Sequence, residues 1–392
     1  MNILTVKAAL NGLTVFTAVK ERPLVRAFTE LLSVTEGSEK DGGRGMIGAW
    51  AEFIHEFINN GQPTWARSVY HFARLDDNAF TRFVERFGKA EGLLETAAET
   101  DFGRLSEIAA FDVCAFGFHV ADVVRKETPQ AASRIEAETR SLWGAEGKSP
   151  EDAQNLFTIP TAFAAFEQDV HARGAGILAT AAVFRWEGRL VPALSPDPVR
   201  LSDLFEYKEQ RSAIITNTQR FLEGKPANNI LLYGDKGVGK SATIKAVCNE
   251  YADKLRLVEL SKDNLKQWHL LMKELSHRGL RFVIFIDDLS FETTDDSFAY
   301  CKSLLEGGVE KQPDNVIIYA ATNRRHFVRE RFVEGPRNLD AEQEQLSLSD
   351  RFGVTIVFTA PNQELFLRIA VAIARKRGLG EMNERKFREN AL

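Results

Sequence analysis

A chain of 392 residues, 27% charged and 44% hydrophobic, is globular in composition and long enough for two or three hydrophobic cores. Its net charge of −5 divides into −6 over residues 1–200 and +1 over residues 201–392. Neither half is therefore a basic glove for a phosphate backbone, and direct nucleic-acid binding is not expected. The three cysteines, Cys114, Cys248 and Cys301, are far apart and odd in number, which argues against a disulfide framework or a structural zinc site.

The first twenty residues are interrupted by Lys7 and Lys20 and lack a small-residue cleavage site. The longest nearly apolar run, residues 174–184, is too short to span a bilayer, so a cytoplasmic protein with no membrane partner is expected. From Leu13 to about Arg185 the pattern is helical, and the expected first domain, residues 1–190, is all-α. Ala49, Phe53, Ile54, Phe57 and Ile58 form one apolar stripe at helical spacing. Asp76 and Asp77 are expected to cap a helix whose inner face carries Phe80, Phe83, Val84 and Phe87.

Pro192, Pro196 and Pro198 then mark a linker, after which the pattern changes. Asn229–Tyr233, Leu255–Leu260, Phe282–Ile286, Val316–Ala320 and Val354–Phe358 are short apolar runs separated by longer segments, several of them helical. Strands of this kind, alternating with helices, specify a doubly wound parallel sheet covered on both faces. That core is expected over residues 191–361, with a short helical lid over residues 362–392.

The first of these strands runs into GDKGVGKS and then into a helix, satisfying G-x-x-x-x-G-K-[ST] with Gly234, Gly239, Lys240 and Ser241. The loop Gly234, Asp235, Lys236, Gly237, Val238, Gly239, Lys240, Ser241 can turn successive backbone N–H groups inward as an anion nest at a helix N-terminus. In such a loop the lysine reaches the β- and γ-phosphates and the serine hydroxyl ligates Mg2+. A second strand, RFVIFI, ends in Asp287 and Asp288. Asp287 is placed to hold the metal shell, as a Walker-B aspartate does, and Asp288 to face an attacking water, with Glu292 as the alternative base.

Residues 199–392 resemble the AAA+ superfamily of P-loop ATPases, on four ordered elements. Behind the two Walker motifs comes NVIIYAATNRR, whose Asn323 matches the first-sensor residue. LSLSDRFG then matches the segment of the arginine finger, here Arg351, with Arg324 and Arg325 as competitors. Upstream, VRLSDLFEY is similar to the stretch that closes over adenine, with Leu204 and Phe205 as wall residues. FIDDLSFE, SLLEGG and NRRHF together resemble an uncharacterised bacterial AAA+ family with a helical N-terminal region.

The resemblance implies an ATP hydrolase using ATP and Mg2+, acting as a homo-oligomer, with a protein partner held by the N-terminal domain. Two alternatives stand beside it: a nucleotide-gated switch with little turnover, and a helicase-loader-like protein acting on DNA complexes. Two features depart from the superfamily. Residues 261–265 lack the aromatic–hydrophobic–glycine loop of protein-threading rings, and no late lid helix with a second-sensor arginine precedes Leu392. Arg368, Arg375 and Arg377 lie on the first lid helix instead.

Overall fold

A computed structural model describes residues 2–37, 44–144, 162–289, 312–323 and 352–377. The chain divides into two compact units, Met1–Ala179 and Thr180–Leu392.

In the first unit the described residues form α1 (Ile3–Gly12), α2 (Pro23–Gly37), α3 (Arg44–Asn60), α4 (Trp65–Arg74), α5 (Ala79–Phe87), α6 (Gly92–Ala109), α7 (Val113–Arg125), α8 (Pro129–Trp143) and α9 (Phe163–Arg173). Phe16, Phe28, Trp50, Phe53, Phe80, Phe116 and Phe166 are fully buried among them. Buried carboxylates satisfy backbone where helices meet. Asp101, fully buried on α6, accepts hydrogen bonds from the N–H groups of Thr14, Val15 and Phe16 at 2.7, 2.6 and 3.2 Å, and pairs with Arg104 at 2.7 Å.

Three expectations change in this unit. The cap of α5 is Asn78, whose side chain accepts from Thr81 N–H at 2.9 Å. Asp76 and Asp77 are engaged elsewhere, by Ala18 N–H at 3.0 Å and by Arg82 at 2.8 and 2.9 Å. Phe80 and Val84 are buried, whereas Phe83 and Phe87 lie on an adjacent face, in tilted ring contact with each other and 38% and 61% exposed. Ile58 falls off the α3 stripe in the same way, at 60% exposure.

The second unit contains β1 (Val183–Trp186), β2 (Leu190–Pro192), α10 (Lys208–Leu222), β3 (Ile230–Gly234), α11 (Lys240–Glu250), β4 (Leu255–Glu259), α12 (Trp268–Ser276), β5 (Arg281–Ile286), β6 (Val316–Thr322), β7 (Val354–Phe358) and α13 (Gln363–Lys376). The strand order is β2-β1-β4-β5-β6-β3-β7, and every pair is parallel except the β1–β2 hairpin. All five strands read from the sequence are present. α10 and α11 pack Ile214, Phe221, Ile244 and Val247 against Ile230, Leu232, Val283 and Tyr319 on one face of the sheet. The alternating residues Leu231, Ile284 and Ile318 are buried as well, as a sheet covered on both faces requires. This is a doubly wound, mostly parallel α/β core, followed by one described helix and preceded by an all-α region.

The hairpin is the correction to the domain reading. Residue 190, the expected end of the helical domain, lies inside it, and residues 183–192 belong to the sheet. β1 pairs in parallel with β4, Phe184 opposite Val258, and continues the sheet beyond what would otherwise be an apolar edge. Pro192 closes β2 on the outer edge, where a missing N–H costs no ladder bond. Among the described residues no helix is long and apolar enough to cross a membrane.

Replacing Asp101 by Ala leaves three backbone donors without their acceptor in a buried site. It should cost about 3 kcal/mol or more, read as a lower urea midpoint, with Asp101→Asn recovering part of the loss.

Candidate functional site

The parallel register brings three strand ends together. Tyr233 at the end of β3 stands opposite Thr322 of β6, and Ile286 at the end of β5 opposite Ala320. Gly234, the last residue of β3, and Asp287 and Asn323, which follow β5 and β6, therefore emerge side by side at the carboxyl edge of the sheet, where open α/β sheets bind ligands.

Gly239 caps α11 in the left-handed region, at φ +95°, and its carbonyl accepts from the Thr243 N–H and hydroxyl at 2.9 and 2.8 Å. Apart from the adjoining residues, no described atom lies within 4 Å of where a Cβ on Gly237 or Gly239 would sit, so the loop presents open backbone at the start of a helix. That is the form a phosphate cradle takes.

Lys240 is 5% exposed, and its Nζ donates to three oxygens: Gly234 O at 2.7 Å, Asp235 O at 2.8 Å and Asn323 Oδ1 at 2.8 Å. Burial lowers its pKa from the ordinary lysine value, against the pull of Asp287, Asp235 and Asp288. The Asn323 amide continues the network, its Nδ2 donating to Asp288 Oδ1 at 3.0 Å. An ammonium can only donate and a carboxylate can only accept, so these two neighbours fix which way the amide points.

Ser241 Oγ donates to Asp287 Oδ1 at 2.8 Å, and the same carboxylate oxygen accepts from Asp288 N–H at 3.0 Å. Asp288 is left-handed, at φ +50°, a conformation aspartate tolerates better than most residues. A hydroxyl beside a carboxylate is an all-oxygen donor set suited to Mg2+, which takes one or two protein ligands and completes its shell with water and phosphate oxygens. The donors fit the ion.

A strap, residues 201–207, ends near Asp235 of the glycine-rich loop. Leu204 and Phe205 are half-buried in it, and the Leu204 carbonyl accepts from Arg211 at 2.5 Å. Tyr207, not singled out from sequence, anchors the end of the strap: its ring packs on Phe358 at 5.2 Å and its hydroxyl donates to Thr359 O at 2.7 Å. Burial, with the Asp235 carboxylate nearby, pushes the Tyr207 phenol above its ordinary range. The structure thus gathers Gly234, Asp235, Lys240, Ser241, Asp287, Asp288 and Asn323. Glu292, Arg324, Arg325 and Arg351 lie outside the described residues.

Residues 179–392 match the model of the family described as Protein of unknown function (DUF815). No curated protein matches the chain. Among solved structures, a point variant of RuvB from Thermotoga maritima aligns at TM-score 0.35 with 16% identity, over 49% of this chain and 57% of that one. The Thermotoga maritima RuvB Holliday junction branch migration motor aligns at TM-score 0.32 with 15% identity, over 46% and 54%. The chain thus spans little more than half the length of each.

A Cβ added to Gly234, whose φ is +153°, would lie 1.9 Å from Phe358 O on β7. Gly234→Ala must therefore push β3 and β7 apart, at a cost of about 2–3 kcal/mol. A scanning calorimetry trace should show the thermal midpoint falling, and an unchanged midpoint would contradict the close strand packing.

Proposed function

This chain belongs to the DUF815 family, whose matched span holds the whole candidate site, and we propose that it binds and hydrolyses ATP with Mg2+. The observation that carries this reading is the Asn323 amide, which joins the loop cation Lys240 to Asp288 in one hydrogen-bonded network. A glycine-rich turn alone would need no such connection. The loop from Gly234 to Ser241 would hold the phosphates, through its backbone N–H groups and Lys240. Leu204 and Phe205 would wall the base. Ser241 and Asp287 would hold Mg2+, which when bound neutralises charge on the phosphate oxygens. Asp288 would accept the proton of the attacking water, with Asn323 fixing its carboxylate. Glu292 is the alternative base.

Hydrolysis would drive conformational change in an oligomer or in a protein partner held by the N-terminal unit. Arg351 would complete the site from a neighbouring copy, where a fixed guanidinium over developing charge accelerates phosphoryl transfer. A switch that binds ATP and turns it over slowly is the second reading. It is favoured by Asp288 itself, one methylene shorter than glutamate and already engaged by Asn323.

Calorimetry should show Lys240→Ala losing most of its ATP affinity, and equal affinity in parent and variant would end the nucleotide reading. Asp288→Asn keeps size and polarity, so it should bind ATP normally and lose turnover. Parental turnover in that variant moves the base to Glu292, and slow turnover in the parent favours the switch.

Arg351→Ala should retain binding and lose roughly a thousandfold in rate. Mixed with Lys240→Ala, it should regain activity, because a mixed interface can pair an intact loop with an intact finger. Mixed oligomers that stay inactive would show that Arg351 does not act across subunits.

A further inference from the structure

The strap and the residues that lead into it, 197–200, are held from two sides by different kinds of contact. On the side of the core the ties are neutral or backbone-directed. Arg200 Nη1 donates to Asn249 O at 2.8 Å, and Asn249 Nδ2 donates to the carbonyls of Asp197 and Val199, both at 2.8 Å. On the side of α13 they are ionic. Lys376 Nζ donates to Ser202 O at 3.1 Å and pairs with Asp203, while Arg368 Nε pairs with Glu206 Oε1 at 3.2 Å.

The two basic residues are eight apart on α13, a little over two turns or about 12 Å, so the helix meets the strap at two points. Leu367 of α13 is buried, Leu365, Ile369, Ala370, Val371, Ala372 and Ala374 are half-buried, and Phe366 and Ile373 are 50% and 38% exposed. The helix is thus only partly covered among the described residues, and the two ion pairs fix where it meets the strap.

The strap also ends on a strained turn. Glu206 and Tyr207 are consecutive left-handed residues at φ +61° and +52°, and neither is glycine. Such a pair persists only where neighbours hold it, and one of the neighbours holding Glu206 is Arg368.

We infer that Asp203–Lys376 and Glu206–Arg368 form an ionic latch that keeps α13 closed on the strap and sets how fast bound nucleotide leaves. The nucleotide half of this inference rests on the ATP reading above. The latch itself does not. Both pairs are solvent-exposed, so salt weakens them, and nucleotide release should quicken as ionic strength rises.

The test uses the full chain, loaded with a fluorescent N-methylanthraniloyl-ADP and chased with excess ADP in a stopped-flow instrument. Removing both charges, Arg368→Met with Lys376→Met, should raise the dissociation rate about tenfold at low salt. It should also abolish most of the parent's salt dependence. Arg375→Met removes the same charge from the same helix at an exposed position and should change the rate less than about twofold, which separates a latch from a general loss of positive charge.

A double-mutant cycle checks the pairing. Asp203→Asn retains an acceptor for the Arg200 N–H but loses the charge, so Lys376→Met should add little in that background. Parental dissociation in the double variant, an equal effect of Arg375→Met, or full additivity in the cycle would each overturn the latch. Arg368, Arg375 and Lys376 are exposed and Asp203 is half-buried, and unchanged thermal midpoints will show that the variants fold.

Hydrogen exchange over residues 363–376 without nucleotide separates the two ideas. Faster exchange in the double variant supports the latch even if the parent binds no nucleotide, a result that would defeat the ATP reading alone. Unchanged exchange overturns the latch whatever the parent binds.

Discussion

The site depends on how one buried cation is neutralised. An ammonium has three donors and no acceptor, so away from water it needs three oxygens in the right directions. Lys240 finds two of them on the backbone of its own loop, which fixes the curl from Gly234 to Gly239. The third is Asn323, at the end of a different strand. Because that amide also holds Asp288, the loop, the acid pair and the end of β6 cannot move independently. Charge is thus arranged in advance of any reaction, which is how electrostatic stabilisation becomes inexpensive at the moment it is needed.

The sheet makes this possible. β3 lies between β6 and β7, and β5 beyond β6, so three loops from distant parts of the chain open on one edge. Strands buried on both faces form a rigid platform, and the Gly234 contact with Phe358 leaves no room for β3 to drift. The strap and α13 are built differently. They are half-buried and are joined by solvent-accessible ion pairs. One side of the site is therefore held by a doubly covered sheet and the other by partly covered elements, the kind from which lids tend to be drawn.

The N-terminal unit follows another principle. Its core is aromatic, with Phe28, Phe53 and Trp65 in mutual ring contact, and its helix junctions are fastened by carboxylates that accept from backbone N–H groups. Glu167 and Asp76, used in this way, are held above the ordinary carboxylate range chiefly by burial. Such groups position backbone at a cost in charge solvation, so they specify the arrangement of the helices more than they stabilise it.

What the sequence determined by itself was local in origin. Five strands were legible because each is a short, largely apolar run, and the turn from β3 into α11 because its glycines stand at a spacing that breaks both patterns. Asp287 and Asp288 were legible as charges ending such a run. Tertiary structure decided the rest. β1 and β2, of four and three residues, are too short to show a period, and they became strands because β4 offered an edge. Asn78 rather than Asp76 or Asp77 caps α5 because Ala18 and Arg82, remote or across the turn, claim the other two. The bond from Lys240 to Asn323 spans 83 residues and the pair of Arg368 with Glu206 spans 162. Periodicity and motif spacing describe neighbours along the chain, whereas these contacts exist only after sheet register has set the distance between strand ends.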